Sequence, residues 1–163
     1  MMVLNETALT HLSQAFENIP FNRLLGLQLA ELKSDLVAIR FAMQEQLIGN
    51  FLQGILHGGV ISSVLDMAGG ITVMSAIIHQ NEPRSIADLT EAIGKTGTVD
   101  LQISYLRKGR GNSFLAKSNL IKVGKHLAFT RMELSNEAGV LIATGTGTYL
   151  LNTSSLNETR VLS

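Results

Sequence analysis

The stretch HGGVISSVLDMAGGITVMSAII, residues 57–78, decides how the rest of the chain is read. Within it Val60, Val64, Met67, Ile71, Met74 and Ile78 recur three or four residues apart, which is the spacing of one helix face. Ile61, Leu65, Ala68 and Ala76 widen that stripe. The pattern predicts a helix from Gly59 to about Ile78. Ser62, Ser63, Asp66, Gly69, Gly70 and Val73 form a narrow remaining face, so the helix is apolar nearly all round and belongs inside a fold. A sheet is expected to wrap it.

The flanking sequence supplies such a sheet. Residues 27–43 form two extended runs, LQLAELK and LVAIRFAM, that meet at the turn-prone Ser34-Asp35 and predict a hairpin. Val99, Leu101, Ile103 and Tyr105 alternate with Asp100, Gln102 and Ser104, the period of a half-buried strand. Further runs at 113–122, 126–136 and 140–151 are separated by turn residues such as Val123-Gly124-Lys125 and Asn136-Glu137-Ala138-Gly139. A short helix over residues 6–18, closed by Pro20, precedes the sheet, and residues 79–97 form a polar stretch with a short helical piece. The polar tail from Asn152 is expected to fray. The expected organisation is one α+β domain over residues 1–163, with its core at about 20–151: a hairpin, a central helix, then an antiparallel meander.

Composition bounds the function. With 45% hydrophobic and 16% charged residues the chain is too apolar for disorder, and its positive mean hydropathy suggests apolar surface covered by another subunit. Basic and acidic residues number 13 each, which gives no electrostatic case for nucleic acid. Cysteine is absent, so disulfides and thiolate metal sites are excluded. The start MMVLNETALT lacks the pattern of a signal peptide, and no uninterrupted apolar run reaches the length of a membrane span, so a cytoplasmic protein is expected.

Between Glu45 and Glu82 the only charged residue, histidines aside, is Asp66, in the middle of the most apolar helix. Burying a lone carboxylate is costly, so the residue is either hydrogen-bonded for structure or used for chemistry. Just ahead of it, QGILHGGV places Gly54, Gly58 and Gly59 around His57 at the helix start. Glycines there leave the free N–H groups of a helix N-terminus unobstructed, an arrangement suited either to a tight turn or to an oxyanion on a reacting carbonyl. His57 reads better as a residue that fixes this turn than as a base. His11, His79 and His126 show no metal-ligand spacing, so no metal is expected. Ser62 and Ser63 lack the setting of a nucleophile. Arg107, Lys108 and Arg110, with Lys122 and Lys125, cluster near strand ends and form an anion site only if the fold gathers them.

The run HGGVISSVLDMAGG (57–70), with Asn50 upstream and TVDLQISYLRKGRG (98–111) and GKHLAF (124–129) downstream, resembles the phenylacetate-degradation (PaaI-like) and related thioesterases of the hotdog superfamily. The resemblance runs over about residues 20–151. It implies a hotdog fold, an antiparallel sheet of five or six strands around the central helix, paired into homodimers and dimers of dimers with active sites at the subunit interface. It also implies an acyl-CoA substrate and hydrolysis to free acid and CoA, with no cofactor beyond the CoA of the substrate. The family's catalytic carboxylate falls on Asp66, as base or nucleophile, and its oxyanion donor on the Gly58 N–H beside His57. Its hydroxyl residue falls on Thr98, and its thioester-contacting asparagine on Asn50, one residue farther from the histidine than in relatives. Arg107, Lys108, Arg110 and Lys125 are the candidates for the CoA phosphates. The segment before Thr98 is longer than in compact family members. Two other readings stay open at this point: hydration or dehydration of acyl thioesters, and a non-catalytic acyl-thioester binding module.

Overall fold

A computed structural model describes residues 2–80 and 85–151. Two helices open the chain, α1 (Met2–Asn18) and α2 (Pro20–Leu25). The first begins four residues earlier than the spacing predicts. Pro20 does more than close it, because it stands in the first turn of α2, where its missing N–H is no loss and its fixed φ suits a helix. Gly26, at φ 66°, ends α2 in the left-handed conformation that favours glycine.

Strands β1 (Gln28–Leu32) and β2 (Leu36–Ala42) then form the expected hairpin across Ser34-Asp35. A 3₁₀ turn (Glu45–Leu47) leads to a two-stranded ribbon, β3 (Ile48–Asn50) with β4 (Ile55–Leu56), which the sequence pattern does not announce. The central helix α3 runs over Gly58–Gln80, α4 over Ile86–Gly94, and the meander follows as β5 (Gly97–Tyr105), β6 (Ser113–Val123), β7 (Leu127–Asn136) and β8 (Leu141–Leu150). The six-stranded antiparallel sheet has the order β1-β2-β6-β7-β8-β5, and α3 packs against β2, β6, β7, β8 and β5 on one of its faces. This is the hotdog fold. Val64, Leu65, Ala68, Val73 and Ile78 of α3 are fully buried in one core with residues such as Val37, Ile39, Ala116, Met132 and Leu134. By length and hydropathy α3 also matches a membrane-crossing helix, a likeness that a search for an unbroken apolar run passes over. In this fold 67% of its most apolar window lies buried, so its apolar surface is spent on the core.

One departure from simple alternation matters most. Along β5, Leu101, Ile103 and Tyr105 pair with Gly147, Gly145 and Ala143 of β8, but the register slips between Thr98 and Asp100. Val99 is the extra residue of a bulge. It is therefore 59% exposed and not in phase with Leu101, as the sequence pattern suggests. The slip puts Thr98 on the inward face directly opposite Tyr149.

Tyr149, 1% exposed, fits because two glycines make room for its ring. A Cβ on Gly69 of α3 would lie 2.0 Å from the Tyr149 hydroxyl oxygen, and one on Gly147 would lie 2.6 Å from the ring. Gly69→Ala is therefore expected to lose about 1–3 kcal/mol of stability through overpacking, although alanine is the better helix former. Urea unfolding checks this, and Gly69→Ala combined with Tyr149→Phe should recover part of the loss, since the hydroxyl is the nearest clash.

Candidate active site

Asp66 sits on the third turn of α3, facing the β5 side of the sheet. It is half-buried, not enclosed as its apolar neighbours in sequence suggest. Thr98 Oγ1 donates to Asp66 Oδ1 at 2.9 Å. The Tyr149 hydroxyl lies 3.1 Å from the Asp66 carbonyl oxygen and 3.3 Å from Oδ1, so its proton is shared between backbone and carboxylate. Among the described residues both side-chain hydrogen bonds to the carboxylate fall on Oδ1.

Burial, and then the nearby Asp66 charge, push the Tyr149 phenol well above its ordinary value. The hydroxyl therefore remains a donor throughout the working pH range. Because the folded-state value is the raised one, the stabilising contribution is complete below the ordinary tyrosine range and is lost as pH climbs above it. Sequence reading missed Tyr149. The available signal was the run Gly145-Thr-Gly147-Thr-Tyr149, in which two glycines share the inward phase with one large residue.

The carboxylate stands at the edge of a cavity of about 330 Å³. Its walls come from α1 (Leu12, Phe16), α3 (Met67, Ile71, Met74) and the end of α4 (Ile93). The long segment before Thr98 thus supplies one wall of this cavity. Thr96, another hydroxyl on the lining, is directed at the Ala92 carbonyl at 3.4 Å.

The glycine-rich turn lies elsewhere. His57 precedes α3 and its Nδ1 accepts the Gly59 N–H at 2.8 Å, so the imidazole caps the helix. The His57 N–H donates to Leu47 O at 2.8 Å, and a Cβ on Gly49 would lie 2.5 Å from His57 Cα, so β3 presses close against the turn. Gly58 occupies the first helical position, where its N–H lies outside the helix ladder. Its carbonyl accepts from the Tyr105 hydroxyl at 3.1 Å, a contact that the reading of Tyr105 as a strand residue did not foresee. Asn50 Oδ1 accepts the Leu52 N–H at 3.1 Å and so holds the 50–54 turn. Ser62 and Ser63 are directed at Gly59 O, at 3.0 and 2.7 Å.

From residue 58 to residue 66 the helix rises ~12 Å, so within one chain the Gly58 N–H and the Asp66 carboxylate cannot meet on one carbonyl group. The cations are divided in the same way. Arg107, Lys108 and Arg110 follow β5 at the end of the sheet nearer Gly58, with Arg107 bonded to Leu141 O at 3.0 Å. Lys122 and Lys125 lie at the β6–β7 turn, at the opposite end, so the fold does not gather the five into one patch.

The profile of the Thioesterase superfamily matches residues 53–143, more than half of the chain and the whole span from the glycine turn to β8. The chain belongs to the thioesterase superfamily. It is 41% identical over 134 residues to the medium/long-chain acyl-CoA thioesterase YigI of Salmonella typhimurium, covering 82% of this chain and 86% of that one. The human acyl-coenzyme A thioesterase 13 is 30% identical over 94 residues, 56% of this chain and 57% of its own. Among solved structures, a Shewanella oneidensis protein related to the thioesterase superfamily superposes with a TM-score of 0.86 at 38% identity, over 91% of this chain and 97% of that one. The Escherichia coli PaaI protein shares the fold, with a TM-score of 0.72 at 18% identity over 91% and 96% of the two chains.

In this thioesterase the Tyr149→Phe variant should lose one donor to Asp66 and about tenfold in turnover, roughly 1.4 kcal/mol, while staying folded. In a Tyr105→Phe background, where Tyr149 is the one tyrosine left, alkaline ultraviolet titration should show no phenolate until the fold opens.

Proposed function

We propose that this enzyme hydrolyses acyl-CoA thioesters of medium or long chain to the free acid and CoA. The observation that carries the reading is a half-buried carboxylate with one oxygen held by two hydroxyl donors, at the edge of an apolar cavity. The names of relatives at about 40% identity support the substrate class.

In this mechanism the acyl chain enters the cavity and the thioester carbonyl stops beside Asp66. Oδ2 accepts a proton from a water as that water attacks the carbonyl carbon. Thr98 and Tyr149 hold Oδ1, so the carboxylate keeps the orientation that suits this transfer. The carbonyl becomes a tetrahedral oxyanion, which the Gly58 N–H at a helix N-terminus stabilises. Collapse expels the CoA sulfur, and the proton on Asp66 passes to it. Because the Gly58 and Asp66 of one chain stand ~12 Å apart, the Gly58 that serves a given Asp66 belongs to a second copy of the chain.

The sheet edge suits that pairing. β5 is an edge strand, and Val99 and Tyr105 on it, with Leu106 just beyond, are 59%, 53% and 49% exposed. Two β5 edges related by a twofold axis run antiparallel and bring the Gly58 end of one copy to the Asp66 end of the other. The same operation carries Arg107, Lys108 and Arg110 toward that site, where they would meet the CoA phosphates. Hydration of an enoyl thioester fits less well, since His57 caps the helix far from Asp66 and no acid–base pair forms between them within the chain.

Asp66→Asn should lower thiol release from acyl-CoA about 10²–10⁴-fold with an unchanged unfolding midpoint. A folded Asp66→Asn enzyme that turns over at the native rate removes the carboxylate from the mechanism.

A further inference from the structure

Two adjacent glycines interrupt the interior of α3, and packing explains only one of them. Gly69 is required by Tyr149, whose hydroxyl oxygen would be 2.0 Å from its Cβ. A Cβ on Gly70 would meet a single atom within 4 Å, Tyr149 Cε1 at 3.7 Å, which is ordinary contact. Helix propensity favours almost any other residue there, and the fold has room for one. That room is the cavity, which Gly70 lines.

Asp66, Gly70 and Met74 follow one another at intervals of four residues along the cavity side of α3, so Gly70 lies between the carboxylate and the far wall. We propose that Gly70 is the residue that admits the acyl chain, a straight hydrocarbon of about ten carbons, to a lane beside α3 that Met74 and Ile93 close. The length follows from the helix: residue 66 to residue 74 spans ~12 Å. An extended chain of tetrahedral atoms advances ~1.2 Å per bond. Beyond Asp66, Thr98 and Tyr149, the side chains that border the lane are mostly apolar: Phe16 and Leu12 of α1, Met67 and Ile71 of α3, Ile93 of α4. The volume of about 330 Å³ is that of a small ligand pocket. Any branched side chain at position 70 would occupy the middle of the lane and leave the carboxylate untouched. Gly70 is thus a specificity-determining residue, and its role rests on the thioesterase reading given above.

The test is thiol release by the full chain with butyryl-, hexanoyl-, decanoyl- and hexadecanoyl-CoA, for the native enzyme, Gly70→Val and Met74→Ala. Gly70→Val should lose about tenfold or more kcat/KM on decanoyl-CoA relative to butyryl-CoA, mainly through KM. Met74→Ala should move the preference toward longer chains, and it decides the matter if Gly70→Val does not fold. An equal loss on every ester in Gly70→Val, or an unmoved preference in both variants, overturns the lane. A native enzyme that hydrolyses none of the four overturns the thioesterase reading itself, an outcome distinct from an active enzyme whose preference does not shift.

Discussion

A helix is a rigid spacer, and in this protein it separates the two groups that the proposed chemistry needs together. Gly58 stands at its first position and Asp66 more than two turns on, ~12 Å away along the axis. No rotamer of Asp66 closes that gap. In the proposed mechanism these two groups therefore belong to separate half-sites. One is the Asp66 carboxylate with Thr98, Tyr149 and the cavity; the other is the capped helix start with Gly58, His57 and the basic loop after β5. In the proposed dimer an exposed edge strand lets the two complete each other.

The half-site around Asp66 depends on strand register. Regular alternation along β5 would turn Thr98 outward with Asp100, and the bulge at Val99 turns it inward, opposite Tyr149. Both hydroxyls then reach the same carboxylate oxygen. Tyr149 can come so close only because Gly69 and Gly147 lack side chains. Local cost is accepted in the helix to hold one functional group, which is typical of where local sequence rules fail.

Much of this was legible in the sequence. The all-round apolar pattern of residues 57–78 announced the central helix, and alternation with turn residues gave the hairpin and the meander to within a residue or two. Asp66 stood out as a charge without apolar excuse, and the glycine turn as a helix start. What was hidden depends on three-dimensional pairing. A bulge leaves no mark in a hydropathy pattern, so Val99 was assigned to the wrong phase. Tyr149 lies 83 residues from Asp66 and meets it only through β8. The ribbon β3–β4 is too short to show a period, and the separation of Lys125 from Arg107–Arg110 by the length of β6 is a property of topology.

The division into half-sites is tested most directly by mixing two inactive chains, Asp66→Asn and Gly58→Pro. Proline is well suited to the first helical position, so Gly58→Pro removes the N–H while the helix start keeps its form. Each variant alone should be nearly inactive. Random reassembly after unfolding and refolding together gives mixed dimers in which one of the two sites has both native groups, and activity should return to roughly a quarter of the native level. Mixed dimers that form and yet remain as inactive as either parent would contradict a site shared between two chains.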